Sequence, residues 1–102
     1  MEIIRGTTPT IQFTFDTISP EDITTAYLVI RQNGADMIEK TLEDATIIEG
    51  KLSFTLKQED TLALEEKPAA YVSLDWLTGD GTRGRSKVYK AGVTDSGKDE
   101  VI

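Results

Sequence analysis

Apolar and polar residues alternate along this chain in several separate runs. Ile11, Phe13 and Phe15 stand against Thr10, Gln12 and Thr14; Leu52, Phe54 and Leu56 against Lys51, Ser53 and Thr55; Ala70, Val72, Leu74 and Trp76 against Tyr71, Ser73 and Asp75. Ile23 to Gln32 repeats the pattern, with Ala26, Leu28 and Ile30 on one side and Tyr27, Val29 and Arg31 on the other. Side chains of a strand point to opposite faces with a period of two, so each run has one side to bury and one to hydrate. The chain therefore reads as an antiparallel β protein.

The gaps between runs hold turn residues. Glu2 to Arg5 reads as a short opening strand stopped at Gly6, and Pro9 stands at a strand start, where its missing N–H does least harm. Ser19-Pro20-Glu21-Asp22 has the composition of one helical turn. Asn33-Gly34 predicts a tight hairpin returning through Met37 to Leu42, because both residues tolerate positive φ. Thr46 to Glu49 is a short apolar stretch ended by Gly50. Gln58 to Leu64 breaks the alternation and reads as a crossover with a helical turn, its leucines docking over the end of the core. Pro68 marks re-entry into a strand from Ala69 to Leu77, and Thr78-Gly79-Asp80-Gly81 turns the chain into a single strand from Thr82 to Val93, with Gly84 and Gly92 marking bulges.

Six to eight short strands with frequent turns predict an all-β, two-layer antiparallel β-sandwich of the immunoglobulin-like kind, with a small β-barrel as the alternative. The expected organisation is one domain over residues 1–94. A polar C-terminal tail over 95–102 follows, in which Val101 and Ile102 are the available anchors.

Composition narrows the function. At 102 residues and 38% hydrophobic, the chain suits a sandwich whose strands each bury one face. A net charge of −7 argues against binding to nucleic acid phosphates or to anionic membranes, both of which need clustered cations. No apolar run approaches the ~20 residues of a membrane span. Met1 to Thr10 lacks the basic start and apolar middle of a secretory signal, so export by that route is not expected. Cysteine and histidine are both absent. That removes the common zinc sites, Ser-His-Asp and Cys-His nucleophiles, and any imidazole base. No enzyme activity, cofactor or metal is expected. Asn33 is the one asparagine and is not followed by Ser or Thr two residues on, so there is no N-glycosylation acceptor.

Some side chains still invite a function. Trp76 falls on the strand face of Val72 and Leu74, which places it in the core rather than at a binding surface. Arg83, Arg85 and Lys87 at spacing two, with Tyr89 beside them, form a basic stripe on a regular strand; it is either a docking strip for an acidic partner or a guarded outer face. Glu59, Asp60, Glu65 and Glu66 crowd one connection, and acid–base work there needs one carboxyl buried with a raised pKa. Asp75, Asp80 and Asp95 do not have the spacing of a calcium loop. Gly79-x-Gly81 reads as a turn, not a phosphate cradle. Exposed tyrosines such as Tyr27, Tyr71 or Tyr89 suit a carbohydrate-binding module if they form a platform.

The order of landmarks adds a resemblance. These are Gly6-Thr7-Thr8-Pro9-Thr10-Ile11 before an alternating strand, Leu56-Lys57-Gln58-Glu59-Asp60-Thr61-Leu62 after one, and a strand leading into Gly79-Asp80-Gly81-Thr82-Arg83 and a final strand with Ser86. Together they resemble small prophage proteins of Gram-positive bacteria and are similar to the amino-terminal immunoglobulin-like domain of phage baseplate upper proteins, over about Gly6 to Val93. The resemblance implies a structural or assembly protein of a virion or tail. Its partners would be other phage structural proteins or further copies of itself, and its location the bacterial cytoplasm during synthesis and the virion once assembled. It carries no catalytic residues. The chain departs from the multidomain baseplate proteins in stopping at Ile102 without receptor-adaptor regions, which shifts the expectation to a stand-alone accessory or tail component.

Overall fold

The computed structural model describes residues 1–102. It contains strands β1 (Glu2–Ile4), β2 (Thr10–Phe13), β3 (Ile23–Gln32), β4 (Ala35–Thr41), β5 (Ala45–Ile48), β6 (Lys51–Thr55), β7 (Ala70–Thr78), β8 (Arg83–Arg85) and β9 (Tyr89–Thr94), and a short helix α1 (Gln58–Leu62). The larger sheet runs β1-β9-β7-β3-β4 with β8 also on β7, and the smaller runs β2-β6-β5. This is an all-β, two-layer, immunoglobulin-like sandwich: β9-β7-β3-β4 take the G-F-C-C′ places and β2-β6-β5 the B-E-D places. One pair departs from the antiparallel expectation, because β1 lies parallel to β9, with Ile3 opposite Val93. Strands far apart in sequence need no tight turn between them, so parallel pairing is open to them.

The alternating runs supply the core as the period-two pattern requires. Ile11, Phe13, Leu52, Phe54 and Leu56 face Ala26, Leu28, Ile30, Ile38, Ala70, Val72 and Leu74 across the layers, all buried. Phe13 and Phe54 meet edge to face with centroids 6.1 Å apart. Leu64, just past α1, is fully buried and closes one end of the sandwich, while Leu62 is only partly covered. The Asn33-Gly34 hairpin forms as expected, with φ of 54° and 77°. A second hairpin of the same kind joins β5 to β6 through Glu49 and Gly50, at φ of 52° and 74°. Besides the expected turn at Pro20–Asp22, a further 3₁₀ turn spans Leu42–Asp44 and is capped by the Asp44 carboxylate, which accepts from Thr41 N–H at 3.0 Å.

Polar groups staple the loops to this core. Gln32 ends β3 with its side chain 3% exposed; its amide donates to the carbonyls of Glu65 at 2.5 Å and Pro68 at 2.7 Å and accepts from Glu65 N–H at 2.7 Å. Thr61 on α1 is buried and donates to Thr7 O at 2.8 Å. Arg5 donates to the carbonyls of Leu64 at 2.6 Å and Leu62 at 3.0 Å, satisfying groups that the end of a helix leaves open.

The single strand expected over Thr82–Val93 is two. In β8, Asp75 faces Arg85, whereas in β9 Val72 faces Tyr89, so the returning strand carries one extra residue between them. Ser86 holds the junction, with its N–H donating to Leu74 O at 2.8 Å and its hydroxyl accepting from Leu74 N–H at 2.9 Å. The irregularity thus falls at Lys87 and Val88, not at Gly84 or Gly92. Gly84 lies opposite Trp76 and beneath its indole, where a Cβ would stand 2.2 Å from the ring, and Gly92 lies against the Glu2 carboxylate.

Candidate functional site

A one-residue shift in register turns every later side chain to the other face. That shift divides the basic stripe expected from Arg83, Arg85, Lys87 and Tyr89. Arg83 and Arg85 point outward opposite Leu77 and Asp75, and Arg85 Nε lies 3.4 Å from Asp75 Oδ1. Lys87 sits in the connection, and Tyr89 comes to the core-facing side opposite Val72. The four residues do not form one strip.

The outer face of the large sheet has a shallow hollow of about 250 Å³ lined by Thr25, Tyr27, Asp75, Trp76, Leu77 and Arg83. Tyr27 lies opposite Asp75 and Tyr71 opposite Arg31, so the two tyrosines share this face four residues apart. At about 3.4 Å per residue that is roughly 14 Å, too far for one aromatic platform. Tyr89 lies on the other side of the sheet.

A second depression has a different character. It holds about 270 Å³ and is lined by five consecutive residues, Ile11 to Phe15, and by Met1, Trp76, Ser86 and Tyr89. Ile11, Gln12 and Phe13 belong to β2, and consecutive residues of a strand point to opposite faces, so a groove touching all three runs along the strand's edge and on past its end. That edge is open: β2 pairs only with β6. Leu56 N–H donates to Pro9 O at 2.9 Å. Antiparallel ladders alternate bonded and non-bonded pairs, so Ile11 and Phe13 aim their backbone groups at β6, while Thr10 and Gln12 aim theirs at the open edge, where Gln12 lines the groove. The far wall is aromatic, with Trp76 meeting Phe15 edge-on at 5.1 Å.

Trp76 is therefore on the predicted face and packs against the core, though it is only partly buried. It lies two residues before the end of β7, against Phe15, which is likewise only partly buried. Phe15, Met1 and Ser86 were not legible as members of one site; the available signal was an aromatic residue at the end of each of two alternating runs.

The other edge of the small sheet is β5. Its two-residue turn makes Ile48 and Lys51 the bonded pair, so the Ile47 backbone groups face away from β6. The strand Ala45-Thr46-Ile47-Ile48 carries no charge, and Ile47 and Ile48 are 43% and 44% exposed.

The carboxylates do structural work at separate places. Asp60 caps α1 by accepting from Lys57 N–H at 2.8 Å and pairs with Lys40 Nζ at 2.9 Å. Burial pushes its pKa up, but the Lys40 and Lys57 interactions outweigh this and hold it below the usual carboxylate value. It does not pair with Glu59, Glu65 or Glu66 as an acid–base couple. Asp80 accepts from the Thr78 hydroxyl at 2.5 Å and from Thr82 N–H at 3.0 Å, bonds that lower its pKa and fix the turn. Asp75 meets Arg85 and Asp95 meets Arg5, so the three aspartates Asp75, Asp80 and Asp95 have different partners.

The segment 95–102 has no helix or strand. Arg5 bonds Asp95 at 2.8 Å and Asp99 at 2.5 Å, and the Gln58 amide bonds Ile102 N–H at 2.8 Å and Ile102 O at 3.1 Å. The Asp95 hydrogen bond raises the Arg5 pKa, partial burial opposes it, and Asp99 adds to the rise.

No family model matches the chain. No curated protein matches it either. Among solved structures it is similar to the immunoglobulin-like domain of mouse leukocyte-associated immunoglobulin-like receptor 1, in a strand-swapped dimer, at 17% identity over 91% of this chain and 85% of that one, TM-score 0.48. It is also similar to the V domain of amphioxus IgVJ-C2, at 15% identity over 92% and 99%, TM-score 0.37.

Proposed function

We propose that this chain is a non-enzymatic structural or assembly module of a phage or prophage particle, acting through protein–protein contacts at the edges of its smaller sheet. The observation that carries the contact is that β2 and β5 both leave backbone groups unpaired beside apolar side chains. Such edges are templates for another strand, and natural sheets commonly blunt them with lysine, proline or a covering segment. Neither strand carries a lysine or proline within its bounds. Strand addition gives affinity through main-chain bonds and specificity through alternate side chains. The order of turn and strand landmarks that resembles prophage and baseplate proteins supports the particle as the setting.

The test is sedimentation of the tagged chain with particles from induced lysogenic cells carrying its gene. The chain is expected in the particle band, and Ile48→Lys, which sets a cation on an exposed edge position, is expected to reduce its share there while circular dichroism shows the fold intact. A chain that stays with free protein in every gradient refutes the reading.

A further inference from the structure

We infer that the outer face of the larger sheet carries a second docking site, separate from the edges of the smaller sheet: a hollow that takes an extended, acidic segment of a partner protein. It holds about 370 Å³ and is lined by nine residues, among them Arg31, Asn33, Tyr71, Ser73, Arg85 and Val88. None of the nine is a carboxylate. Ser73 is the first sign of an occupant. It is 8% exposed, and among the five buried polar residues it alone makes no side-chain hydrogen bond, whereas Gln32, Ser53, Thr61 and Thr78 are all bonded within the chain. No side-chain polar atom is sealed inside the molecule without a partner, so the Ser73 hydroxyl opens onto the hollow that the residue lines. A nearly buried hydroxyl of this kind is short of one bond that a ligand can make.

The two arginines supply the charge. Arg31 bonds Asp36 Oδ1 through Nε at 2.5 Å, and Arg85 Nε lies 3.4 Å from Asp75 Oδ1. Each guanidinium is thus steered by its Nε, while its two Nη groups have no partner in the chain. Arg5 shows the opposite use of the same group: Nε bonds Leu64 O, Nη2 bonds Leu62 O, and Nη1 meets Asp95 and Asp99, so every nitrogen is taken up in holding the fold. The free forks of Arg31 and Arg85 have the planar, two-donor geometry that matches a carboxylate. With the Ser73 hydroxyl and the Tyr71 phenol beside them, the hollow offers donors and calls for an acceptor-only group, which an ionised aspartate or glutamate is.

Spacing selects a segment over a small anion. Arg31 lies opposite Tyr71 and Arg85 opposite Asp75, on strands that flank β7 from either side. Tyr71 and Asp75 are four residues apart, roughly 14 Å at about 3.4 Å per residue. An extended chain turns every second side chain to one face, so acidic residues at alternate positions reach both forks along the row Tyr71, Ser73, Asp75. Val88 and Tyr71 give the stems of those side chains apolar contact. The net charge of −7 opposes an acidic partner at long range, but charges beyond about 8 Å are largely screened at physiological ionic strength, and within the outer face Lys90, opposite Tyr71, adds a further cation. The attraction is therefore local, and one such contact gains strength through repetition in an assembly.

The test is an NMR titration of the isotope-labelled full chain with the peptide acetyl-Glu-Thr-Glu-Thr-Glu-amide. Saturable shifts are expected at the amides of Arg31, Asn33, Ser73 and Val88, and none with the same peptide carrying glutamine for glutamate. Arg31→Gln and Arg85→Gln are each expected to weaken binding about tenfold or more, and Ser73→Ala severalfold. Arg83→Gln removes the same charge from the same face, but Arg83 lines the neighbouring hollow, so binding is expected to stay unchanged. Circular dichroism checks that each variant is folded. A peptide that gives no saturable shift at these residues overturns the inference, and so does equal weakening by Arg83→Gln. Inorganic phosphate or glucuronate binding there as tightly as the peptide overturns it as well, in favour of a small anion or an acidic sugar. The edges of the smaller sheet take no part in this titration, so its failure leaves the particle reading standing, and failure to sediment with particles leaves this site standing.

Discussion

Gly84→Ala is the sharpest probe of how the groove is built. The backbone at Gly84 is not in the left-handed region, so alanine is compatible with the chain's path and only the side chain matters. Its Cβ would lie 2.2 Å from Trp76 Cζ2, 2.5 Å from Cε2 and 2.9 Å from Cη2, all within the indole ring. The ring must therefore move away from β8, and its edge-on contact with Phe15 at 5.1 Å is disturbed. Forcing an extra carbon into a packed site costs about 1–3 kcal/mol, and a disturbed aromatic pair about 0.5–1.5 kcal/mol. Replacing glycine offsets about 0.4–1 kcal/mol of this by restricting the unfolded chain. The expected net loss is about 0.5–4 kcal/mol, centred on about 2, which is a fall in Tm on the order of 10 °C for a domain of this size. Urea denaturation followed by circular dichroism measures the loss, and the emission of the sole tryptophan reports the displaced ring. In a Trp76→Val background, where the obstacle is gone, Gly84→Ala is expected to be neutral or slightly stabilising. A neutral effect in the native background, or an equal loss in both, refutes the account of why glycine stands here.

Gln32→Leu removes three hydrogen bonds and strands the Glu65 N–H and the carbonyls of Glu65 and Pro68; a loss of about 2–4 kcal/mol in urea unfolding is expected, with faster amide exchange at Glu65. Asp60 has a pKa below its ordinary value, so its contribution is fully present above the unfolded-state pKa and is lost as pH falls through the lower, folded-state pKa. Acid titration of Asp60→Asn should therefore show a flatter fall in stability below about pH 4, and an unchanged acid limb would sink the assignment. Double reversal of Arg83 and Arg85 to glutamate should change stability by under about 1 kcal/mol, because the one ion pair involved is exposed. If particle sedimentation also stays unchanged in that variant, these two cations are a solvated outer face and not a docking strip.

Much of the fold was legible from the alternation itself. The bounds of β3, the Asn33-Gly34 hairpin and the inward sets of β2, β6 and β7 follow from period-two burial, which is a strong local constraint. What was not legible depends on partners distant in sequence. The parallel lie of β1 against β9 is decided by the other end of the chain, and the extra residue at Lys87 and Val88 by Ser86 bonding to Leu74 through both backbone and side chain. That one residue moved Tyr89 to the opposite face from Arg83 and Arg85 and dissolved the predicted stripe. The turn at Leu42–Asp44 had a readable cap in Thr41 and Asp44, but it sits where one strand leaves the large sheet for the small one, a switch that alternation alone does not mark. Trp76 lies on the face that alternation predicts and packs against the core, but its partial exposure depends on how far the opposite sheet extends, which alternation does not report.

That last point connects the architecture to the proposed activity. A sandwich buries the inner faces of two sheets fully only where both are present, and here a six-stranded sheet faces a three-stranded one. The immunoglobulin-like plan can place a strand A beside B, that is, beside β2. In this chain β1 lies instead against β9, in the larger sheet. Choosing β9 increases the mismatch: it widens the large sheet by one strand and leaves the small sheet's edge without a neighbour. The inner face at Trp76 and Tyr89 then projects past β2, and the groove is the resulting step between layers. Apolar side chains and unpaired backbone groups coincide there for one geometric reason. A strand laid into that step would satisfy the edge and cover the aromatic wall together.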